Sequence, residues 1–378
     1  MVFSLAERNR RLKAMDEMIR REGLKALLII GNGAVGVRAY GCYRYFVDNR
    51  VYYHMQAMLA VPGKEPTVFC STITHLKALN SRNYTDIRVV GDDILSGVMS
   101  VLKEKGIAEG RLGVSFEMLP AGWYMKIRKD FPKLELVDVT EKIFEIRATR
   151  SAEEVELYRK CAEIADAGYA AVCEAAKPGI YEHELAAVLD YAMKKNGAEE
   201  TFTLLASGRF SFKNNGLNCL HFSAAPSRQI QEGDSIAFEI TPRYQGYWTQ
   251  MVRTISVGEP SEDFVTMHKI VCETIEETRK LLKPGAPLRD VIRFMMDYIS
   301  KAGYIPQLPC GHICAVDLNE GRVDPESDVI LQEGMAVILH PTIVTPEIET
   351  GIFWGETYLV TPDGGECLMK SSKDLLVF

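Results

Sequence analysis

No stretch of the chain is apolar for long enough to cross a bilayer, and no run of lysines and arginines is long enough to track a nucleic-acid backbone. The first absence argues against a membrane protein. The second, with a formal net charge of -7, argues against a nucleic-acid partner. Paired cysteine motifs are missing too. The nine cysteines (Cys42, Cys70, Cys161, Cys173, Cys219, Cys272, Cys310, Cys314 and Cys367) are odd in number and lack zinc-ribbon spacing, so they read as the reduced thiols of a cytoplasmic protein. The run from Met1 to Arg10 carries charges where a secretory leader needs an apolar stretch. With 47% hydrophobic and 25% charged residues, the composition is that of a folded globular protein. A length of 378 residues exceeds what one core supports, which predicts two domains.

The amino-terminal part reads as a small α/β domain. Leu5, Leu12, Met15 and Ile19 recur at helical spacing, Gly23 ends that helix, and Ala26-Leu27-Leu28-Ile29-Ile30 reads as a buried strand. Further strands are expected at 57–61, 67–69, 88–90 and 112–114. A capping box, Ser151-Ala152-Glu153-Glu154, opens a long helix with Val155, Tyr158, Ala162, Ala165, Tyr169 and Val172 on one face. This divides the chain into domains 1–148 and 149–378.

The second domain repeats itself. Lys177-Pro178-Gly179 returns as Lys283-Pro284-Gly285, and Glu184/Asp290, Leu185/Val291, Leu189/Met295, Lys195/Lys301 and Gly197/Gly303 follow in the same frame. Strand-like segments come after each copy, 234–239 and 335–340, so the unit is a duplicated ααββ arrangement. Ligands commonly bind where two such halves meet. Glu239, Gln250, His340 and Glu356 are polar where buried strands should be apolar, and His312 follows in a loop-like Pro309-Cys310-Gly311. Leaving a neutral polar group bare inside a protein costs roughly 2 to 7 kcal/mol, and an ion more, so something must compensate them.

Glu145-Ile146-Arg147, Ser151-Ala152-Glu153-Glu154-Val155, Glu232-Gly233-Asp234, the segment from Gly246 to Thr254, Gly311-His312, Glu333-Gly334-Met335 and Gly355-Glu356-Thr357 resemble the creatinase, prolidase and aminopeptidase P family across the whole chain. The resemblance implies a pita-bread catalytic domain, an α+β fold made from the duplicated ααββ unit, and a homodimer. Metal-dependent relatives hold two divalent ions with two aspartates, a histidine and two glutamates, at positions matched here to Glu239, Gln250, His312, His340 and Glu356. Gln250 replaces a bridging aspartate, and a neutral amide does not offset two dications held close together.

Two arrangements of the altered site follow. In one, His312, His340, Glu356 and Glu239 bind one divalent ion (Zn, Mn or Fe). In the other there is no metal, as in creatinase, which uses a histidine as acid/base and carboxylates to hold a guanidine. By the resemblance His221 is the acid/base, and Glu239 and Glu356 join it as catalytic residues. Asn319 stands for a second loop histidine, Ile313-Cys314-Ala315 for glycines, Trp354 for an arginine and Val252 for an acid of creatinase itself. Tyr247, Trp248, Trp354, Gln250 and Arg44 are the expected substrate contacts, aromatic faces and an arginine suited to a cationic acid. The expectation is a hydrolase acting on a C–N bond of a small N-methylated or guanidino metabolite. The rivals are an Xaa-Pro dipeptidase or aminopeptidase with a mononuclear metal, a lyase on a small cationic acid, and a non-catalytic binding homologue.

Overall fold

The computed structural model describes residues 3–32, 41–51, 55–208, 228–347 and 350–378. The chain divides into two compact units, Met1–Glu153 and Glu154–Phe378.

The first unit is built on a six-stranded sheet, β1 (Ala26–Asn32), β2 (Met55–Ala60), β3 (Thr67–Cys70), β4 (Asp86–Val89), β5 (Glu109–Val114) and β6 (Lys133–Asp138), in the order β4-β3-β2-β1-β5-β6. Strand β1 runs parallel to β5 and antiparallel to β2. It is buried along nearly its whole length, as expected of a central strand that reads as a continuous apolar run. Helix α1 (Leu5–Arg21) starts where the Ser4 hydroxyl accepts from the Glu7 amide and ends just before Gly23, as its apolar periodicity predicts. Helix α2 (Gly41–Val47) and four others, α3 (Thr74–Asn80), α4 (Ile94–Glu104), α5 (Ala121–Asp130) and α6 (Thr140–Ala148), complete the unit. Val98 and Leu102 of α4 pack with Leu28, Leu59 and Phe69 in its core.

The second unit bears out the repeat in its backbone. Helix α7 (Ala152–Ala175) leads through the first Lys-Pro-Gly to α8 (Glu182–Lys195), and α9 (Glu262–Arg279) leads through the second to α10 (Leu288–Lys301). The Gly179 amide donates to the Ile230 carbonyl at 2.7 Å, and Gly285 donates to Leu331 at 2.8 Å. Single bridges, Tyr181 to Gln229 and Pro287 to Ile330, repeat the same contact. Later in each half, Gly233 donates to Val257 at 2.7 Å and Gly334 to Val360 at 2.9 Å.

The first half carries β7 (Glu200–Gly208), β8 (Ser235–Tyr244), β9 (Tyr247–Trp248) and β10 (Met251–Ser256), with β8 central. The second has a three-stranded sheet of β11 (Ile305–Gln307), β15 (Thr342–Val344) and β16 (Gly351–Phe353). Its five-stranded sheet joins β12 (Gly311–Cys314), β13 (Gly321–Arg322), β14 (Ala336–Leu339), β17 (Glu356–Thr361) and β18 (Gly364–Cys367). The halves meet where Val252 bridges Gly355 and the Trp248 amide donates to the Ala315 carbonyl. Among the described residues no helix is long and apolar enough to cross a membrane, and none of the eight cysteines among them is joined in a disulfide.

Candidate functional site

The junction of the halves is where the polar side chains converge. Glu239 lies in the middle of β8, paired with Leu204 and Val252 on either side. Residues two apart on a strand share a face, so Thr241 stands beside it. Between β8 and β9 the chain reverses through Gln245 and Gly246, both at positive φ (47° and 98°), a tight hairpin turn. That turn delivers Gln250, which precedes β10 and lies outside any strand. Thr357 Oγ1 holds Gln250 by its main chain, accepting from the Gln250 amide at 2.9 Å and donating to its carbonyl at 2.9 Å.

Gln250 is the centre of the group. Its Nε2 donates to Glu239 Oε2 at 3.0 Å and to Thr241 Oγ1 at 3.2 Å, and its Oε1 lies 3.2 Å from His312 Nε2. His312 sits on β12, paired with Ile338, so the loop expected there is a strand. The His340 ring lies 5.3 Å from that of His312 and 5.2 Å from Phe353, edge to face in each case. Among the described residues the buried Nδ1 atoms of both histidines have no hydrogen-bond partner.

This environment sets the protonation states. Burial pushes Glu239 up to about 8, so at neutral pH it is an uncharged acid. Burial, with His340 close by, pulls His312 down to about 3, and burial pulls His340 down to about 4, so both imidazoles are neutral. These shifts give the stability profile opposite slopes. Glu239 holds its proton more tightly when folded, so its contribution is full below its ordinary 4.5 and is lost as pH rises through 8. The histidines hold theirs less tightly, so their contribution is present above 6.5 and is lost as pH falls toward 4 and 3. From these three groups, thermal stability is expected to peak near pH 6.5. The decline from there to pH 8 should vanish in Glu239→Gln; a decline that survives the substitution would refute the assignment.

Glu356 does not join this group. Successive strand residues face opposite sides, and with Thr357 turned to Gln250, Glu356 turns to the far side. There its Oε1 accepts from Arg253 at 2.6 Å. Its Oε2 accepts from Tyr358 at 2.9 Å and Cys367 at 3.0 Å, with Lys373 Nζ at 3.4 Å. Burial works to raise its pKa, but Arg253 and Lys373 outweigh it and hold the group below the usual carboxylate value. The residue on the near side is Gly355, where a Cβ would lie 2.5 Å from His340 Cα and Cβ. His340 occupies the space a side chain there would need.

The expected aromatic contacts are engaged in packing. The Tyr247 hydroxyl donates to Glu154 at 2.7 Å and its ring meets Tyr158 edge-on at 5.3 Å. Arg243 lies 5.1 Å over Trp248, and Arg253 lies 4.2 Å over Trp354 on the Glu356 side. Arg44 is buried in α2 of the first unit. His221 lies outside the described residues. Sequence reasoning missed Thr241, Thr357 and Gly355. The period-two step from Glu239 gives the first, and the same step back from Thr357 gives the glycine.

A single transition metal needs three or four converging donors. Among the described residues no three His, Cys, Asp or Glu side chains are placed to hold one, because an amide separates Glu239 from His312 and Glu356 faces away. The His312, His340, Glu356 and Glu239 ligand set is therefore not assembled, and the donors present do not fit a metal.

Comparison with known proteins agrees with this architecture. Residues 11–149 match the Creatinase/Prolidase N-terminal domain and residues 156–362 match Metallopeptidase family M24. An Xaa-Pro dipeptidase of Pyrococcus horikoshii is 26% identical over 97% of this chain and 99% of its own. A creatinase of a Bacillus species is 27% identical over 92% and 86%. Among solved structures, the prolidase of Pyrococcus horikoshii superposes with a TM-score of 0.82 at 26% identity, covering 97% of this chain and 99% of its own. The Xaa-Pro dipeptidase from Bacillus anthracis gives 0.84 at 23% identity, covering 98% and 100%. With an α/β amino-terminal domain followed by a pita-bread domain of duplicated ααββ halves, the chain belongs to metallopeptidase family M24 and is a hydrolase of that family.

Proposed function

We propose that the chain hydrolyses a C–N bond of a small nitrogenous acid, N-methylated or guanidino, with side chains alone moving the protons. The observation that carries this reading is the Gln250 amide clasped between Glu239 and His312. Among the described residues it leaves one carboxyl in the group, and that carboxyl is neutral at physiological pH. Glu239 is then a proton donor, suited to protonating the departing nitrogen. A neutral imidazole is suited to taking a proton from the attacking water. His340 is assigned that role, since His312 Nε2 is already engaged by Gln250.

A second reading, an Xaa-Pro dipeptidase, is favoured by the relatives: Xaa-Pro dipeptidases match over most of the chain, and they back this reading better than the first. The experiment that separates them is an assay of Xaa-Pro dipeptides and of guanidino and N-methyl amino acids, each with a chelator and each with added manganese, zinc or iron. Turnover of a guanidino or N-methyl acid that survives chelation is the expected result. Turnover confined to Xaa-Pro dipeptides and dependent on added metal would replace the first reading with the second.

A further inference from the structure

We propose that Gln250 is a positioning residue that fixes the tautomer of His312, holding the imidazole proton on Nε2 and leaving Nδ1 with its lone pair. A primary amide has two N–H donors and one carbonyl acceptor. Both donors of Gln250 are spent, one on Glu239 Oε2 at 3.0 Å and one on Thr241 Oγ1 at 3.2 Å. Only the carbonyl remains for His312 Nε2 at 3.2 Å. Two acceptors do not bond, so Nε2 carries the proton. A neutral imidazole has one proton, which leaves Nδ1 with a lone pair.

Two further observations fit. His312 Nδ1 is buried and makes no well-formed hydrogen bond among the described residues, as expected of a lone pair turned toward main-chain carbonyls. The main chain of Gln250 is clamped on both its amide and its carbonyl by Thr357, so the side chain works from a fixed base. The competing arrangement turns the amide over: Glu239 then donates to it, and His312 carries its proton on Nδ1, favoured by the Leu318 carbonyl.

The test is a long-range proton–nitrogen correlation spectrum of the full chain labelled with 15N-histidine at neutral pH, without substrate, with His312 assigned by its loss in His312→Asn. The expected wild-type pattern is the Nε2–H tautomer. Gln250→Leu, which offers the ring no acceptor, should yield a mixture of the two tautomers. A wild-type Nδ1–H pattern, or an Nε2–H pattern unchanged in a folded Gln250→Leu, would overturn the proposal. Should Gln250→Leu not fold, the wild-type spectrum decides alone. Because no turnover is measured, failure of the hydrolase reading leaves this result standing, and the reverse also holds.

Discussion

Replacing Glu239 by glutamine is expected to lower kcat about 10²- to 10⁴-fold, the usual contribution of a positioned proton donor, with KM and the fold little changed. Glutamine keeps the length and a carbonyl that still accepts from Gln250 Nε2 and leaves Thr241 its partner. What it removes is the transferable proton that burial keeps on the carboxyl up to about pH 8. The loss should therefore fall on the chemical step. Steady-state kinetics on whichever substrate the panel identifies, beside a thermal melt of the same sample, check it. A variant with wild-type kcat would remove Glu239 from the mechanism.

The second large effect concerns stability. Glu356→Ala is expected to destabilise the protein by about 3 to 5 kcal/mol, because it leaves Arg253 charged and without its carboxylate inside the structure. Both members of the pair are almost fully buried. Arg253 also braces Trp354, and its Nη1 donates to the carbonyls of Val252 and Gly355 where the halves meet. Replacing both partners together by apolar residues of similar size should restore much of the loss, since a buried pair contributes little beyond what its separation costs. Urea denaturation of the single and double variants measures this. A folded Glu356→Ala of wild-type stability that has lost activity would instead mark Glu356 as a site residue.

These outcomes also show what the amino-acid order reveals and what it hides. The strands around Leu28 and Val114 and the repeat at Gly179 and Gly285 are legible because apolar periodicity and turn chemistry are local. The convergence of Glu239, Gln250, His312 and His340 is legible through the family resemblance and through polarity inside apolar runs. The side to which a strand residue points is harder to read, since one step of register reverses it. Gly355 and Glu356 are neighbours in the chain, and the fold sends the carboxylate to Arg253 while the position facing His340 has no side chain. Aromatic rings beside a site carry no sign of their own orientation. Tyr247 and Trp248 follow a tight turn, and only the packed structure shows them committed to Glu154 and Arg243.

Among the described residues one neutral carboxyl, Glu239, and one amide, Gln250, stand where two dications would need several anionic ligands. Calorimetric titration of the chelator-treated, full-length protein with manganese and with zinc addresses this most directly. The expected result is no stoichiometric binding that depends on Glu239 or His312. One or two ions bound per chain, and lost in Glu239→Ala and His312→Ala, would contradict it.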